Sequence, residues 1–219
     1  HFLKYASYCL SQNKERCEMA FIRLIEATEE LMRHANGISK LEQEGVSVSE
    51  LKSLQKWYVS QADVEMVMFN IGDVHDVNAD QTTAFTTIFW NQFNAQRGYN
   101  SFNLALAQYL EKALDDNGKF QEFKEYVKSK GYDWERNISR FAAGRLDLAL
   151  QMAKEVDPTL STDVIRTRIL NNEVNVSVEA FAAEMKEFIE NKHNRNFRIL
   201  FFVDEVSQFI GEHRDLLLQ

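Results

Sequence analysis

The chain is poor in residues that make turns: its 219 positions hold 8 glycines and a single proline, Pro158. A β-sandwich needs a turn signal every ~8–12 residues. So few breakers argue against a many-turned sandwich or barrel and favour helices. Cysteine is equally scarce, with only Cys9 and Cys17. Placed on one helix, these two would be separated by roughly 12 Å of rise, beyond the reach of a disulfide. Two reduced, buried and unreactive thiols are therefore expected, as fits a cytoplasmic protein. No apolar run reaches the ~18 residues that mark a membrane-spanning helix. There is no basic excess either. Lys and Arg number 25 against 33 Asp and Glu, for a formal net charge of −8. Such a chain has no global pull toward nucleic acid or an anionic membrane, although net charge leaves a local basic patch and direct nucleic-acid contact open.

Several chemical signatures are also missing. There is no HExxH, CxxC, GxSxG or GxGxxG, so zinc-protease, dithiol-redox, hydrolase-elbow and dinucleotide readings lack support. The phosphate-cradling loop Gly-x-x-x-x-Gly-Lys-Ser/Thr is absent as well. The one Gly-Lys pair, Gly118-Lys119, is followed by Phe120 and has Ala113 where the first glycine should stand.

What the chain does contain is a core. Hydrophobic residues make up 45% and aromatic residues 12%, enough to bury an interior. The opening HFLKYASYCL carries Phe2, Leu3, Tyr5, Ala6 and Leu10 on helical spacing with no preceding cap. It reads as a helix already under way, in a chain cut from something longer, and not as a secretory leader. Cys17, Phe21, Leu24, Thr28, Leu31 and Ala35 continue with a four-then-three spacing up to Asn36-Gly37, one packed helical face. Ser47 with Glu50 three positions on predicts a capping box and a short helix through about Tyr58. Val64 to Ile71, nearly all apolar and followed by Gly72-Asp73, predicts a buried strand.

Residues 80–194 read as helices throughout. Phe85, Phe89 and Phe93 share a face that stops at Gly98. Leu104–Leu114 stops at Asn117-Gly118, and Phe120–Val127 stops before Gly131. A longer helix is expected over Trp134–Val156, ended by Asp157-Pro158. Ser161 and Ser177 open two more, the second running through Ile189. A second strand is expected over Arg198–Val203. The phenylalanine stripe reads as core, because no basic residues alternate with it as a base-stacking platform would require.

That second strand ends unusually. Ile199, Leu200, Phe201, Phe202 and Val203 run without a polar residue into Asp204 and Glu205. In an open parallel sheet, ligands meet the carboxyl ends of strands. An acidic pair there can associate with Mg²⁺ through water and activate the water that attacks a terminal phosphate. This is the Walker B pattern. The same residues also arise where a buried strand feeds a helix, since carboxylates favour a helix N-terminus. Two other groups carry weaker signals. His75 between Asp73 and Asp76 could suggest a metal but reads as a solvated loop. Lys192, His193, Arg195 and Arg198 form a basic cluster that reads as a solvated connection before the strand.

HFLKYASYCL, VEMVMFNIGD, FTTIFWNQFNAQRGY, NKHNRNFRILFFVDEVSQFIG and LLLQ resemble, in that order, segments of the large P-loop ATPase of BREX phage-resistance systems. That ATPase is related to the one in phage-growth-limitation systems. The resemblance spans nearly the whole chain, is best at both ends and around the first strand, and departs at Ser207, where that family more often has Gly. It implies an α/β fragment, mostly helical, running from just after the Walker A motif through Walker B, with two adjacent parallel strands. Residues 1–79 would begin the ATPase core, 80–195 would form a helical insertion, and 196–219 would carry the Walker B strand and the next helix. It implies Asp204 as the Mg²⁺-associated acid and Glu205 as the catalytic one. ATP and Mg²⁺ would be cofactors of the parent protein, with no cofactor-binding residues and no bound nucleotide in this piece, which should itself be inactive. Partners would be other defence components and copies of the protein, with no membrane. Two readings compete with it: a non-enzymatic helical scaffold, and another P-loop lineage that handles nucleic acid.

Overall fold

In a computed structural model of the chain, described at residues 9, 10, 19, 20, 23, 45, 47–74 and 83–206, two strands lie side by side. Strand β1 is Asp63–Asn70 and β2 is Phe197–Asp204. They pair in parallel, in register from Asp63 opposite Phe197 to Asn70 opposite Asp204. Each exceeds its expected span by one residue at the amino end. At the carboxyl end β1 stops one residue short, because Ile71 already belongs to a short helix, whereas β2 continues to Asp204. The remaining described elements are helical, so the architecture is mostly α with a small parallel sheet.

The chain divides into two compact units: His1–Val74 with Ala183–Leu218, and His75–Ala182. In the first, α1 (Val48–Gln61) starts as its sequence dictates. The Ser47 hydroxyl accepts the Glu50 backbone N–H at 3.4 Å, which satisfies one of the unpaired donors of the first turn. Helix α1 passes through Ala62 directly into β1, and α2 (Ile71–Val74) follows β1 at once. In β1, Val64, Val67 and Phe69 are buried; in β2, Phe197 is buried and packs edge-on against Phe188.

The second unit has an aromatic core. Helix α3 (Ala84–Gln96) buries Ala84, Ile88, Trp90, Phe93 and Asn94. Of the predicted stripe only Phe93 is fully enclosed, while Phe85 and Phe89 are half-buried, because the inward face is rotated toward Trp90. The expected helix after Leu104 is present in three parts: α4 (Leu104–Leu106), a π-helical turn over Ala107–Glu111, and α5 (Lys112–Asp116). The wide bond from the Lys112 N–H to the Ala107 carbonyl marks that turn. Helix α6 (Phe120–Ser129) contributes Phe123, whose ring meets Trp134 edge-on at 4.8 Å.

Trp134–Val156 is two helices where one was expected: α7 (Trp134–Gly144) and α8 (Leu146–Val156). The break falls at Arg145 (φ −133°, ψ 27°), next to Gly144, whose helix propensity is low. Asp157 ends α8 as anticipated: its carboxylate accepts the Thr159 backbone N–H at 3.0 Å and the Asn117 side-chain amide at 2.7 Å. Helices α9 (Thr162–Leu170) and α10 (Val178–Asn191) complete the chain before β2. At the start of α10 the Ser177 hydroxyl accepts the Ala180 N–H at 3.1 Å. Cys9 is buried and Cys9, Met19, Ala20 and Arg23 are helical, whereas Cys17, the rest of the expected opening helices before residue 37 and the His75-Asp76 loop lie outside the described residues. No described helix is long and apolar enough to cross a membrane.

Candidate functional site

The parallel pairing carries the two strand ends to the same edge. The final register pair is Asn70 with Asp204, and Glu205 follows immediately. Asp204 and Glu205 are both exposed. One oxygen of Asp204, Oδ1, accepts the Glu205 backbone N–H at 2.9 Å, and Oδ2 makes no hydrogen bond among the described residues. That leaves an exposed carboxylate oxygen at the strand end. The donor chemistry suits Mg²⁺, which takes oxygen ligands and keeps most of its water, with one or two protein carboxylates beside phosphate oxygens. Among the described residues no three acidic, His or Cys side chains gather as a metal cage.

Glu205 is held in an unusual way. Its φ is +59°, in the left-handed region. A residue with a Cβ is disfavoured there by roughly 1–2 kcal/mol, and such strain concentrates at functional sites. The turn sends the side chain back across the sheet edge, where Glu205 Oε2 accepts the Asn70 side-chain amide at 2.6 Å. Asn70 is fixed from its other side, since its Oδ1 accepts the Gly72 backbone N–H at 2.8 Å. The two bonds together orient the amide: the group facing Gly72 must accept and the group facing Glu205 must donate. Gly72 packs close to this pair. A Cβ at that position would lie 3.3 Å from Asn70 Oδ1 and 3.6 Å from Glu205 Oε2.

Asn70 is the residue that the sequence did not offer as part of this site. Its position as the last residue of an apolar strand is a signal, but its partner lies 135 positions away. The basic cluster sits at the opposite, amino end of β2. Lys192 pairs with Glu65 at 2.5 Å and lies over the rings of Phe188 and Phe197. Arg198 donates to the Arg195 and Phe197 carbonyls, and His193 occupies a left-handed turn position (φ 49°). Lys192 thus ties the connection to β1 while Arg198 holds carbonyls at the start of β2, and the cluster is not beside Asp204. Lys119 of the lone Gly-Lys pair is tied to Glu122 at 2.6 Å at the start of α6, far in chain position from either strand end.

No protein-family model matches the chain, and no solved structure matches it.

Proposed function

We propose that the carboxyl edge of the β1–β2 pair is the acidic half of an ATP-hydrolysing P-loop site. The observation that supports this most is the juxtaposition at one edge of Asp204, exposed at the end of an apolar parallel strand, and Glu205, turned by a left-handed backbone onto Asn70. In this reading Asp204 holds Mg²⁺ through its water shell, and the ion supplies neutralisation of phosphate charge. Glu205 orients or deprotonates the attacking water. Asn70 is a positioning residue that holds the Glu205 carboxylate at the neighbouring strand end. Serving a phage-resistance system of the BREX kind, alongside other defence components, is the wider proposal; it rests on the sequence resemblance.

The reading requires a phosphate-binding loop that these 219 residues do not contain. Without backbone N–H groups and a lysine on the phosphates, most of the electrostatic stabilisation of the transferred group is missing. The 219-residue chain is therefore expected to release phosphate from ATP no faster than buffer does. Magnesium-dependent turnover by this chain, abolished by Glu205→Gln, would overturn that dependence on the loop.

A non-enzymatic interaction module is the second reading. Leu54 and Trp57, three positions apart on α1, are both largely exposed, as a partner-binding helix face would be. Under that reading Glu205→Gln has no effect on any nucleotide-dependent property, even when the phosphate loop is present.

A further inference from the structure

Glu111 is a further carboxylate, one that phosphate chemistry at the strand edge leaves unused. It ends the π-helical turn of the second unit and is fully buried. No lysine, arginine or histidine forms an ion pair with it within the described residues. Its partners are two N–H donors. The Asn100 backbone N–H donates to Oε2 at 2.5 Å, and the Trp134 indole N–H donates to Oε1 at 2.6 Å. Asn100 passes the connection on, since its side-chain oxygen accepts the backbone N–H groups of Phe102 and Asn103 at 2.7 and 2.6 Å. Asn103 in turn accepts the Leu106 N–H at 2.9 Å and caps α4. One chain of hydrogen bonds therefore runs from the first residue of α7, through Glu111, to Asn100, Phe102 and Asn103 of the Tyr99–Asn103 loop. That loop displays Phe102, 84% exposed. A cavity of about 110 Å³, lined by the loop, Glu111, Trp134, Glu135 and Ile138, adjoins the carboxylate.

An ionised carboxylate only accepts hydrogen bonds, and both donors suit it. A neutral carboxyl accepts more weakly, and its own proton must point into the cavity or displace one of the two N–H groups. Burial opposes the charge, and the bonds from Asn100 and Trp134 favour it. Lys124 on α6 also favours the charge, whereas Glu135 on α7 opposes it. Burial dominates and pushes the group from 4.5 up to about 7. The loop's own titratable group, Tyr99, is raised well above its ordinary value by burial and by its bond to Asp115, so it stays protonated near neutrality.

We propose that Glu111 is a pH-sensitive clasp: its carboxylate holds the Tyr99–Asn103 loop to the first turn of α7, and its protonation loosens the loop that displays Phe102. The clasp acts on the bonds from Asn100 and Trp134, which favour the charge, and leaves the carboxyl buried when they weaken, so its local effect is opposite in sign to the global one. A carboxyl raised in the folded state gives stability that is complete below its unfolded value and is lost as pH rises through the folded value. Acidification from about 7 toward 4.5 thus strengthens the fold through this group while weakening the loop.

Nuclear magnetic resonance of the ¹⁵N-labelled chain tests this. The Trp134 indole and Asn100 amide resonances are expected to titrate together with a midpoint near 7. Exchange protection of the Asn100 amide, corrected for intrinsic rate, should fall roughly tenfold on the acid side, about the effect of losing one hydrogen bond. Glu111→Gln, which presents only one accepting oxygen to two donors, should abolish the titration and leave the loop weakly protected at every pH. Glu135→Gln keeps Glu111 and should lower the midpoint, which provides a test if Glu111→Gln does not fold. Resonances that stay flat across this range, a titration that survives in Glu111→Gln, or a midpoint unmoved by Glu135→Gln would each overturn the proposal.

Discussion

At the residue scale, the Asn70–Glu205 bond fixes where the Glu205 carboxylate lies. A carboxylate that accepts an amide N–H is oriented, and this one is oriented from a strained backbone. The contact is exposed, so its contribution to stability is modest, about 0.5–1.5 kcal/mol. Asn70→Ala is expected to lose about that much in a denaturant titration. Asn70→Asp is a sharper probe, because it sets a carboxylate where the amide now meets Glu205 Oε2. Two carboxylates at such a distance cannot both remain ionised without cost. The variant is therefore expected to be less stable than Asn70→Ala at neutral pH and to recover as acid protonates one of the pair. Equal stability of the two variants at every pH would show that the bond does not form. Asp204 and Glu205 were legible in the sequence because an apolar run that stops at two acids is a local pattern. Asn70 was not legible as their partner, since that depends on a parallel register between segments more than a hundred residues apart, and no local pattern encodes register of that kind.

At the element scale, starts and stops with a chemical mechanism were readable. Ser47, Ser177, Asp157 and Gly98 each end or begin a helix where the side-chain chemistry or the glycine directs it. Two features were not readable. The π turn before Lys112 leaves the apolar spacing of Leu104–Leu114 almost unchanged, so periodicity does not report it. The break between α7 and α8 rests on a single exposed glycine that helices often tolerate. Gly144 is helical, its φ is not positive, and a Cβ there would meet nothing within 4 Å. Gly144→Ala is therefore expected to stabilise the chain by about 0.4–1 kcal/mol, seen as a higher denaturant midpoint with unchanged slope. A loss of stability would mean that the break needs glycine for a close approach.

At the scale of the whole molecule, the decisive fact is that β1 and β2 are neighbours although residues 71–196 separate them in sequence. A parallel pair needs a crossover of only about a dozen residues, and here the connection carries a helical unit with its own aromatic core. The strand ends nevertheless meet: Asn70 pairs in register with Asp204 and donates to Glu205. The proposed role of that edge is tested most directly in a longer chain that also carries a phosphate-binding loop, by measuring ATP binding and magnesium-dependent phosphate release with and without Glu205→Gln. Retained nucleotide binding with phosphate release reduced at least about a hundredfold, the scale of a lost general base, is the predicted result. Unchanged phosphate release would remove Glu205 from the chemistry and contradict the account.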